Sequence, residues 1–124
     1  MPLAFLSVGL GGFLGSVARY GLSLLFPATA FPFATFIINL VGSFGLGFVA
    51  GLDMDGYISS RNFSLFMRVG VFGGFTTFST FSLESVQLLQ SGRTGYAVLY
   101  MVASLLVCLI GAFAGLMCAR LVGK

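Results

Sequence analysis

Polar side chains recur at helical spacing inside long apolar stretches of this sequence. Thr35, Asn39 and Ser43 are each four residues apart, and Ser104 lies four residues after Tyr100. Residues four apart share one helix face, and polar residues inside a membrane usually face the bundle interior or a water path. Hydrogen bonding between helices is the ordinary explanation for Ser or Thr at such positions. Asn39 carries two amide donors that are costly to leave unpaired, so we expect it to have a functional role.

A second unusual feature is the segment from residue 70 to residue 82, which reads GVFGGFTTFSTFS. Adjacent glycines and β-branched, hydroxylated residues weaken a helix, and irregular backbone in a membrane is tolerated only where it is buried or lines a cavity. We therefore predict a helix break near Gly73 to Thr77. The freed carbonyl oxygens would suit a small hard cation such as sodium, although a kinked helix satisfied by neighbouring hydroxyls is an alternative.

Two phenylalanines in this segment could take part in anion binding. Phe78 and Phe81 are three residues apart, which places them on neighbouring parts of one helix face. The edge of a phenyl ring is electropositive, so ring edges together with amide and hydroxyl donors could replace part of an anion's water shell. Chance packing is the alternative, because the chain holds 15 phenylalanines.

Two charged residues lie within apolar stretches. Arg19 either lines an electropositive vestibule or extends to the membrane surface as an interfacial anchor. Glu84 is expected to be structural, either pairing with Arg19 or accepting hydrogen bonds from hydroxyls.

The composition places the chain in a membrane. Of its 124 residues, 58% are hydrophobic and 7% are charged, against roughly a quarter charged in soluble domains. A spanning helix needs about 20 mostly apolar residues. The sequence therefore predicts an all-α membrane protein with one domain, residues 1–124, and four spans at about residues 3–26, 33–52, 63–89 and 96–122.

Several functions are excluded or disfavoured by the same residues. The chain has no His, so a His-based triad or a His-containing metal site is impossible. The basic residues are scattered, which argues against nucleic-acid binding. No nucleophile is paired with a base, so an enzyme is not expected.

The distribution of basic residues bears on orientation. Arg61, Arg68, Arg120 and Lys124 are predicted near one membrane face, against Arg19 and Arg93 near the other. This bias is weak by the positive-inside rule, so insertion in both orientations is plausible. Two oppositely inserted copies would supply the pseudo-two-fold arrangement that many transport bundles use.

Three motifs make the chain resemble the fluoride channel family, Fluc, also called CrcB, along essentially its whole length. Residues 12–20 read GFLGSVARY, residues 35–42 read TFIINLVG, and residues 73–82 read GGFTTFSTFS. The last motif is highly specific, and all three occur in order in a four-span chain.

The resemblance implies a passive fluoride-selective channel that exports fluoride and relieves its toxicity. It also implies an antiparallel, dual-topology homodimer in a prokaryotic plasma membrane, with two pores and a structural sodium ion at its centre. Carried over by motif, the implied sodium ligands are the backbone carbonyls of Gly73 and Thr76, and the implied vestibule residue is Arg19. The implied pore residues are Asn39, Thr77, Phe78, Ser79, Thr80, Phe81, Tyr100 and Ser104.

One position departs from the family pattern. Cys108 stands where some members have serine, and a thiol is a weaker hydrogen-bond donor than a hydroxyl. We therefore expect conductance to differ and selectivity to be kept.

Two other functions remain as alternatives. A small dual-topology multidrug exporter would carry an acidic residue in its first helix, whereas this helix carries Arg19 and no acid. A non-transporting membrane assembly subunit would need neither the polar stripes nor the helix break.

Overall fold

A computed structural model of the chain describes residues 1–122 and contains no strand in that range. The prediction of an all-helical protein is therefore confirmed for these residues. The prediction that Lys124 lies near one membrane face concerns a residue outside this range. The elements in order are α1 (Pro2–Ser23), α2 (Phe33–Met54), α3 (Arg61–Leu65), a π-helix (Phe66–Phe72), α4 (Gly73–Phe75), α5 (Phe78–Gln90) and α6 (Thr94–Val122).

Three of these helices, α1, α2 and α6, are long and apolar enough to cross a membrane. The remaining predicted span, at about residues 63–89, is divided among α3, the π-helix, α4 and α5. Each of these four segments is shorter than the roughly 20 residues that a spanning helix needs. This region, residues 61–90, is called the segmented region below.

The ends of α1 follow from local chemistry. Pro2 lies in the first turn, where its missing N–H costs no hydrogen bond. The helix ends at Ser23, three residues before the predicted end at Phe26. The next three amides donate to carbonyls only three residues back, and Pro27 disfavours the helical conformation at the residue before it.

Helices α2 and α6 approach each other at glycines. A Cβ atom at Gly47 would overlap the carbonyl oxygen of Ala112, and one at Gly115 would overlap the carbonyl oxygen of Phe44. Both glycines are buried. This is the small-residue packing that lets backbones come close within a bilayer.

Helix α1 packs in a similar way against the segmented region. A Cβ atom at Gly11 would overlap the carbonyl oxygen of Phe66, and one at Gly15 would overlap that of Val71. Both of these partner residues belong to the π-helix. Such wide turns inside helices are frequently found at functional sites.

The segmented region changes conformation at two consecutive residues. Thr76 (φ −80°, ψ 156°) and Thr77 (φ −146°, ψ 113°) are extended between α4 and α5. The new helix begins at Phe78 because the Thr77 hydroxyl oxygen accepts a hydrogen bond from the Thr80 amide at 3.1 Å. This is the usual N-cap interaction, which satisfies one of the free amides at a helix start.

A small hydrophobic cluster joins α5 to α6. Leu88, Ala97 and Tyr100 are buried in it, and Phe81 packs against it. The chain turns between these helices at Gly92, whose φ of 81° lies in the left-handed region that glycine adopts without steric cost. This turn reverses the chain between α5 and α6, and Phe81 packs against Tyr100 of α6.

Candidate functional site

The break between α4 and α5 opens onto a cleft of about 350 Å³ between α2 and α6. Both polar and apolar side chains line this cleft, which is the candidate site. Its polar lining comes from Asn39, Ser43, Thr76, Thr77, Ser104 and Cys108. Its apolar lining comes from Leu46, Phe78, Phe81, Leu105, Leu109 and Ala112.

Asn39 on α2 is bonded to the backbone at the break. The Thr77 amide donates to Asn39 Oδ1 at 2.8 Å, and Asn39 Nδ2 donates to the Thr77 carbonyl oxygen at 3.1 Å. Thr77 is 9% exposed, so these bonds satisfy backbone groups that would otherwise be costly to bury. One amide hydrogen of Asn39 is thus used within the chain, and the second is left for a ligand in the cleft.

Arg19 on α1 bonds to the other side of the break. Its Nε donates to the Gly74 carbonyl oxygen at 3.1 Å across 55 residues of sequence. In a continuous helix that carbonyl would accept from Phe78 four residues later. The guanidinium group therefore replaces a helical donor and keeps its other N–H groups for further partners.

Two further carbonyls lose their helical donors at the break. The Thr77 amide would donate to Gly73 in a continuous helix, but it donates to Asn39 instead. Likewise, the Thr80 amide would donate to Thr76, but it donates to the Thr77 hydroxyl. These two carbonyls belong to the residues, Gly73 and Thr76, that the family resemblance implied as sodium ligands.

Carboxylate, thiolate and imidazole groups do not form a metal site in residues 1–122. No group of three or more His, Cys, Asp or Glu side chains lies close enough there to hold an ion. Backbone and hydroxyl oxygens are the donors that the break offers, and hard cations such as sodium prefer oxygen ligands. The residues present therefore fit a hard cation better than a soft one.

The two phenylalanines lie side by side at the mouth of the cleft. Their ring centroids are 5.7 Å apart with an angle of 44° between the planes. The Phe78 ring is 79% exposed, whereas Phe81 is half-buried with its ring centroid 5.1 Å from that of Tyr100. Phe81 is thus supported by the protein core, and Phe78 projects from the surface of a single chain.

Tyr100 does not line the cleft but lies behind Phe81. It is fully buried, and its hydroxyl donates to Glu84 Oε1 at 2.9 Å. Glu84 therefore accepts from a hydroxyl, one of the two roles expected for it, and Arg19 takes a carbonyl partner instead. The Glu84 to Tyr100 bond links α5 to α6 just behind the ring pair.

Ser104 and Cys108 line the α6 wall of the cleft one helical turn apart. Ser104 is 6% exposed, and its Oγ has no hydrogen-bond partner among the described residues. A buried hydroxyl without a partner is costly, so this position is suited to a ligand that enters the cleft.

The structure brings together most of the residues that the sequence singled out. Asn39, Thr77, Phe78, Phe81 and Ser104 surround one cleft. The hydroxyls of Ser79 and Thr77 lie 3.5 Å apart, and Thr80 is bonded to Thr77 through its amide.

Other predicted residues lie outside the cleft lining. Arg19 and Gly73 are associated with the backbone of the break, and Tyr100 is in the core. The cleft also includes Ser43, whose spacing of four residues from Asn39 was the sequence signal for it. The α1 contact to Gly74 had no sequence signal.

Comparison with known proteins gives a consistent assignment. The family described as CrcB-like protein, Camphor Resistance (CrcB), matches residues 6–116. The chain is 46% identical over 117 residues to the fluoride-specific ion channel FluC of Chlorobium chlorochromatii, covering 93% of this chain and 91% of that protein.

Two further relatives of the same name are of similar identity. A FluC of Thermus thermophilus is 46% identical over 114 residues, covering 90% of each chain. That of Ruminiclostridium cellulolyticum is 42% identical over 121 residues, covering 95% of this chain and 93% of the relative. The relatives are named as channels, and the prediction that this chain is not an enzyme is confirmed at the level of the family. With the three apolar helices, these matches show that the chain is an integral membrane protein and belongs to the CrcB family.

Proposed function

We propose that this protein is a passive, fluoride-selective channel that lets fluoride leave the cell across the plasma membrane and so relieves its toxicity. The observation that carries the proposal is the cleft itself, which lies beside an interrupted helix. It holds the Asn39 amide, the ring pair and a Ser104 hydroxyl that has no hydrogen-bond partner in residues 1–122. Relatives over more than 90% of the chain are named fluoride-specific ion channels.

The chemistry of the cleft suits a small anion that must shed water. Its polar lining supplies hydrogen-bond donors, while the Phe78 and Phe81 rings present electropositive edges. No Lys or Arg of residues 1–122 lines the cleft, so an anion would be held by dipoles rather than by a full charge. Ion conduction requires binding that is favourable enough for entry and weak enough for exit.

Arg19 serves this channel in two ways. Its positive charge lies close to the break, where it attracts an anion towards the cleft. Its Nε fixes the Gly74 carbonyl oxygen at 3.1 Å, and this contact holds the interrupted backbone in place. The vestibule role that the family resemblance implies therefore comes with a positioning role.

The functional unit proposed is an antiparallel homodimer of two oppositely inserted chains. In a single chain Phe78 is 79% exposed, and Gly73 is also exposed. A second copy over this side of the break would cover the exposed ring and close the cleft into a pore. A two-fold pairing of opposite topology is an arrangement that transport proteins with inverted repeats achieve within one chain.

A structural sodium ion at the dimer centre is part of the proposal. The carbonyls of Gly73 and Thr76 have lost their helical donors, which leaves oxygens of the kind that a hard cation takes. A bound sodium ion would supply the positive charge that stabilises these two oxygens and fixes the break.

The two alternative functions have less support. A multidrug exporter would need an acid in α1, and α1 contains none. The one acid in α5, Glu84, is occupied by the Tyr100 hydroxyl. A non-transporting subunit would bind no ligand in the cleft, and the cost of burying the Ser104 hydroxyl would then have no compensation.

The test is a flux measurement on liposomes that contain the purified protein. A fluoride electrode should record passive efflux, much faster than chloride efflux and without a proton gradient. Equal efflux of the two anions, or no efflux from correctly folded protein, would overturn the proposal.

The ring pair gives a sharper version of the same test. Phe78→Ile and Phe81→Ile should each abolish or strongly reduce fluoride efflux, because an aliphatic side chain lacks the electropositive edge. Phe113→Ile is the matched control, since Phe113 is 64% exposed on α6 and does not line the cleft. Unchanged efflux in both ring variants would remove the rings from the mechanism.

A further inference from the structure

Cys108 gives the cleft a free thiol that the fluoride pathway does not require. We propose that Cys108 is a modification site at which a small disulfide or thiosulfonate forms a mixed disulfide that slows anion passage. This inference rests on the proposed channel function for its effect on flux, whereas the modification itself does not depend on that function.

The geometry of the α6 wall carries the first step. Cys108 is a free, partly exposed thiol that lines the same cleft as Asn39 and Ser104. Ser104, four residues earlier, is 6% exposed with a hydroxyl that has no partner in residues 1–122. A buried donor without a partner points to a ligand in this part of the cleft, so an entering molecule would reach the neighbouring thiol.

The second cysteine provides an internal comparison. Cys118 is also free and partly exposed, but it does not line the cleft. Ten residues of helix separate it from Cys108, which is a rise of roughly 15 Å. A reagent that acts by filling the cleft must therefore act through Cys108 and not through Cys118.

The chemistry is thiol–disulfide exchange. The Cys108 proton passes to water, and the thiolate attacks the sulfenyl sulfur of the reagent. A new S–S bond forms, and the reagent's own S–S bond breaks. A thiosulfonate releases a sulfinate and a disulfide releases a thiolate, so no separate oxidant is needed. A thiol reductant reverses the reaction.

The adduct should impede fluoride for two reasons. It places an apolar group one helical turn from Ser104, where the anion needs donors in place of water. It also occupies part of a cleft of about 350 Å³. If the adduct removes one hydrogen bond to the passing anion, fluoride efflux should slow on the order of tenfold or more.

The experiment uses methyl methanethiosulfonate on protein in fluoride-loaded liposomes, with intact mass measured on the same samples. We expect Cys108 to be labelled and fluoride efflux to fall about tenfold or more, with recovery after reduction. Cys118→Ser should behave like the unsubstituted protein. Cys108→Ser should keep its own unmodified rate in the presence of reagent.

The mass measurement separates failure of this inference from failure of the proposed function. If the Cys118→Ser protein gains no adduct mass, or if its efflux persists after complete labelling, the modification site or its effect is refuted. If unmodified protein shows no fluoride efflux, the proposed function fails. In that case complete labelling of Cys108 would still show that the thiol is accessible, and a lack of labelling would refute its accessibility.

Discussion

The interface between α2 and α6 and the segmented region solve the problem of a buried backbone in different ways. In α2 and α6 the helices are uninterrupted, so the backbone groups away from the helix ends are satisfied within their own helix. Close contact at Gly47 and Gly115 then brings the two backbones together. In the segmented region the helix ends at Phe75, and side chains from other helices satisfy the freed backbone groups.

This difference separates the scaffold from the site. Contacts between backbones leave little room for change, because a carbonyl oxygen cannot rotate away as a side chain can. A break held by Asn39 and Arg19 instead depends on a few hydrogen bonds, each worth about 1–3 kcal/mol when a charged or buried group is involved. We therefore expect substitutions in the first region to change stability and substitutions in the second to change flux.

The largest effect on stability is expected from Gly115→Ala. Its new methyl group would overlap the carbonyl oxygen of Phe44, so the helices must separate. Overpacking of this kind costs about 1–3 kcal/mol and occasionally more. The measurement is the melting temperature and the yield of monodisperse protein in detergent.

Two other glycines of the chain calibrate that result. The three atoms nearest to a Cβ at Gly45 belong to the ring of Phe72, which can shift, so the loss of stability in Gly45→Ala should be smaller. A Cβ atom at Gly95 would meet no atom of residues 1–122 within 4 Å, so Gly95→Ala should behave like the unsubstituted protein. Equal melting temperatures for Gly115→Ala and Gly95→Ala would show that the α2 to α6 contact is looser than the structure has it.

Among substitutions of the side chains that hold the break, the largest effect on flux is expected from Asn39→Asp. The carboxylate can still accept from the Thr77 amide, but it cannot donate to the Thr77 carbonyl oxygen, and it adds a negative charge to the cleft. Loss of a donor and repulsion of the anion together should lower fluoride efflux on the order of a hundredfold or more. The measurement is electrode-recorded efflux, with gel filtration to check folding.

Asn62→Asp makes the same chemical change outside the cleft, in α3. It should leave efflux within about twofold of the unsubstituted rate, since this partly exposed charge lies outside the cleft lining and is screened by salt. A similar loss in both variants would mean that charge alone, wherever it is placed, controls the flux. An active Asn39→Asp protein would remove this amide from the pathway.

Contacts between residues far apart in the sequence could not be predicted from the sequence. The apolar runs predicted α1, α2 and α6, because length and hydropathy are local properties. The glycines and hydroxylated residues of the segmented region indicated weak helix in the right segment. The extended residues are Thr76 and Thr77 because Asn39 bonds to Thr77 across 38 residues of sequence. A pattern of neighbouring residues cannot predict a contact over that separation.

The site residues show the same limit. Spacing of four residues placed Asn39 and Ser43 on one face of α2, and Ser104 on a face of α6, and these faces do meet at the cleft. Spacing also put Tyr100 on that stripe, yet Tyr100 is fully buried behind Phe81. Its hydroxyl donates to Glu84, and this contact depends on how α5 packs against α6.

A smaller effect on flux is expected from Arg19→Lys, which keeps the positive charge and loses the Nε donor. If positioning of Gly74 matters as proposed, efflux should fall roughly three- to tenfold, which corresponds to part of one charge-assisted hydrogen bond. Arg93→Lys makes the same exchange just before the start of α6 and should change nothing. Full efflux in Arg19→Lys would assign the residue to vestibule charge alone.

The smallest effect is expected where the two regions meet at the surface. Asp53 Oδ2 accepts from Arg68 Nη1 at 2.9 Å and from the Ser64 hydroxyl at 2.6 Å, so it links the end of α2 to the start of the segmented region. The Arg68 and Asp53 side chains are 41% and 25% exposed, and partly exposed ion pairs contribute little to stability. Asp53→Asn should therefore lower the melting temperature only slightly and leave fluoride efflux unchanged.

Asp55→Asn changes the net charge by the same amount and is the reference for this last comparison. The difference in melting temperature between the two variants should shrink as salt is added, because salt screens exposed ion pairs. A difference that persists in high salt would assign the link to the Ser64 hydrogen bond rather than to the charge of Arg68. A loss of efflux in Asp53→Asn would show that the break is sensitive to how the segmented region begins. In that case α3 and the π-helix would belong to the site and not to the scaffold.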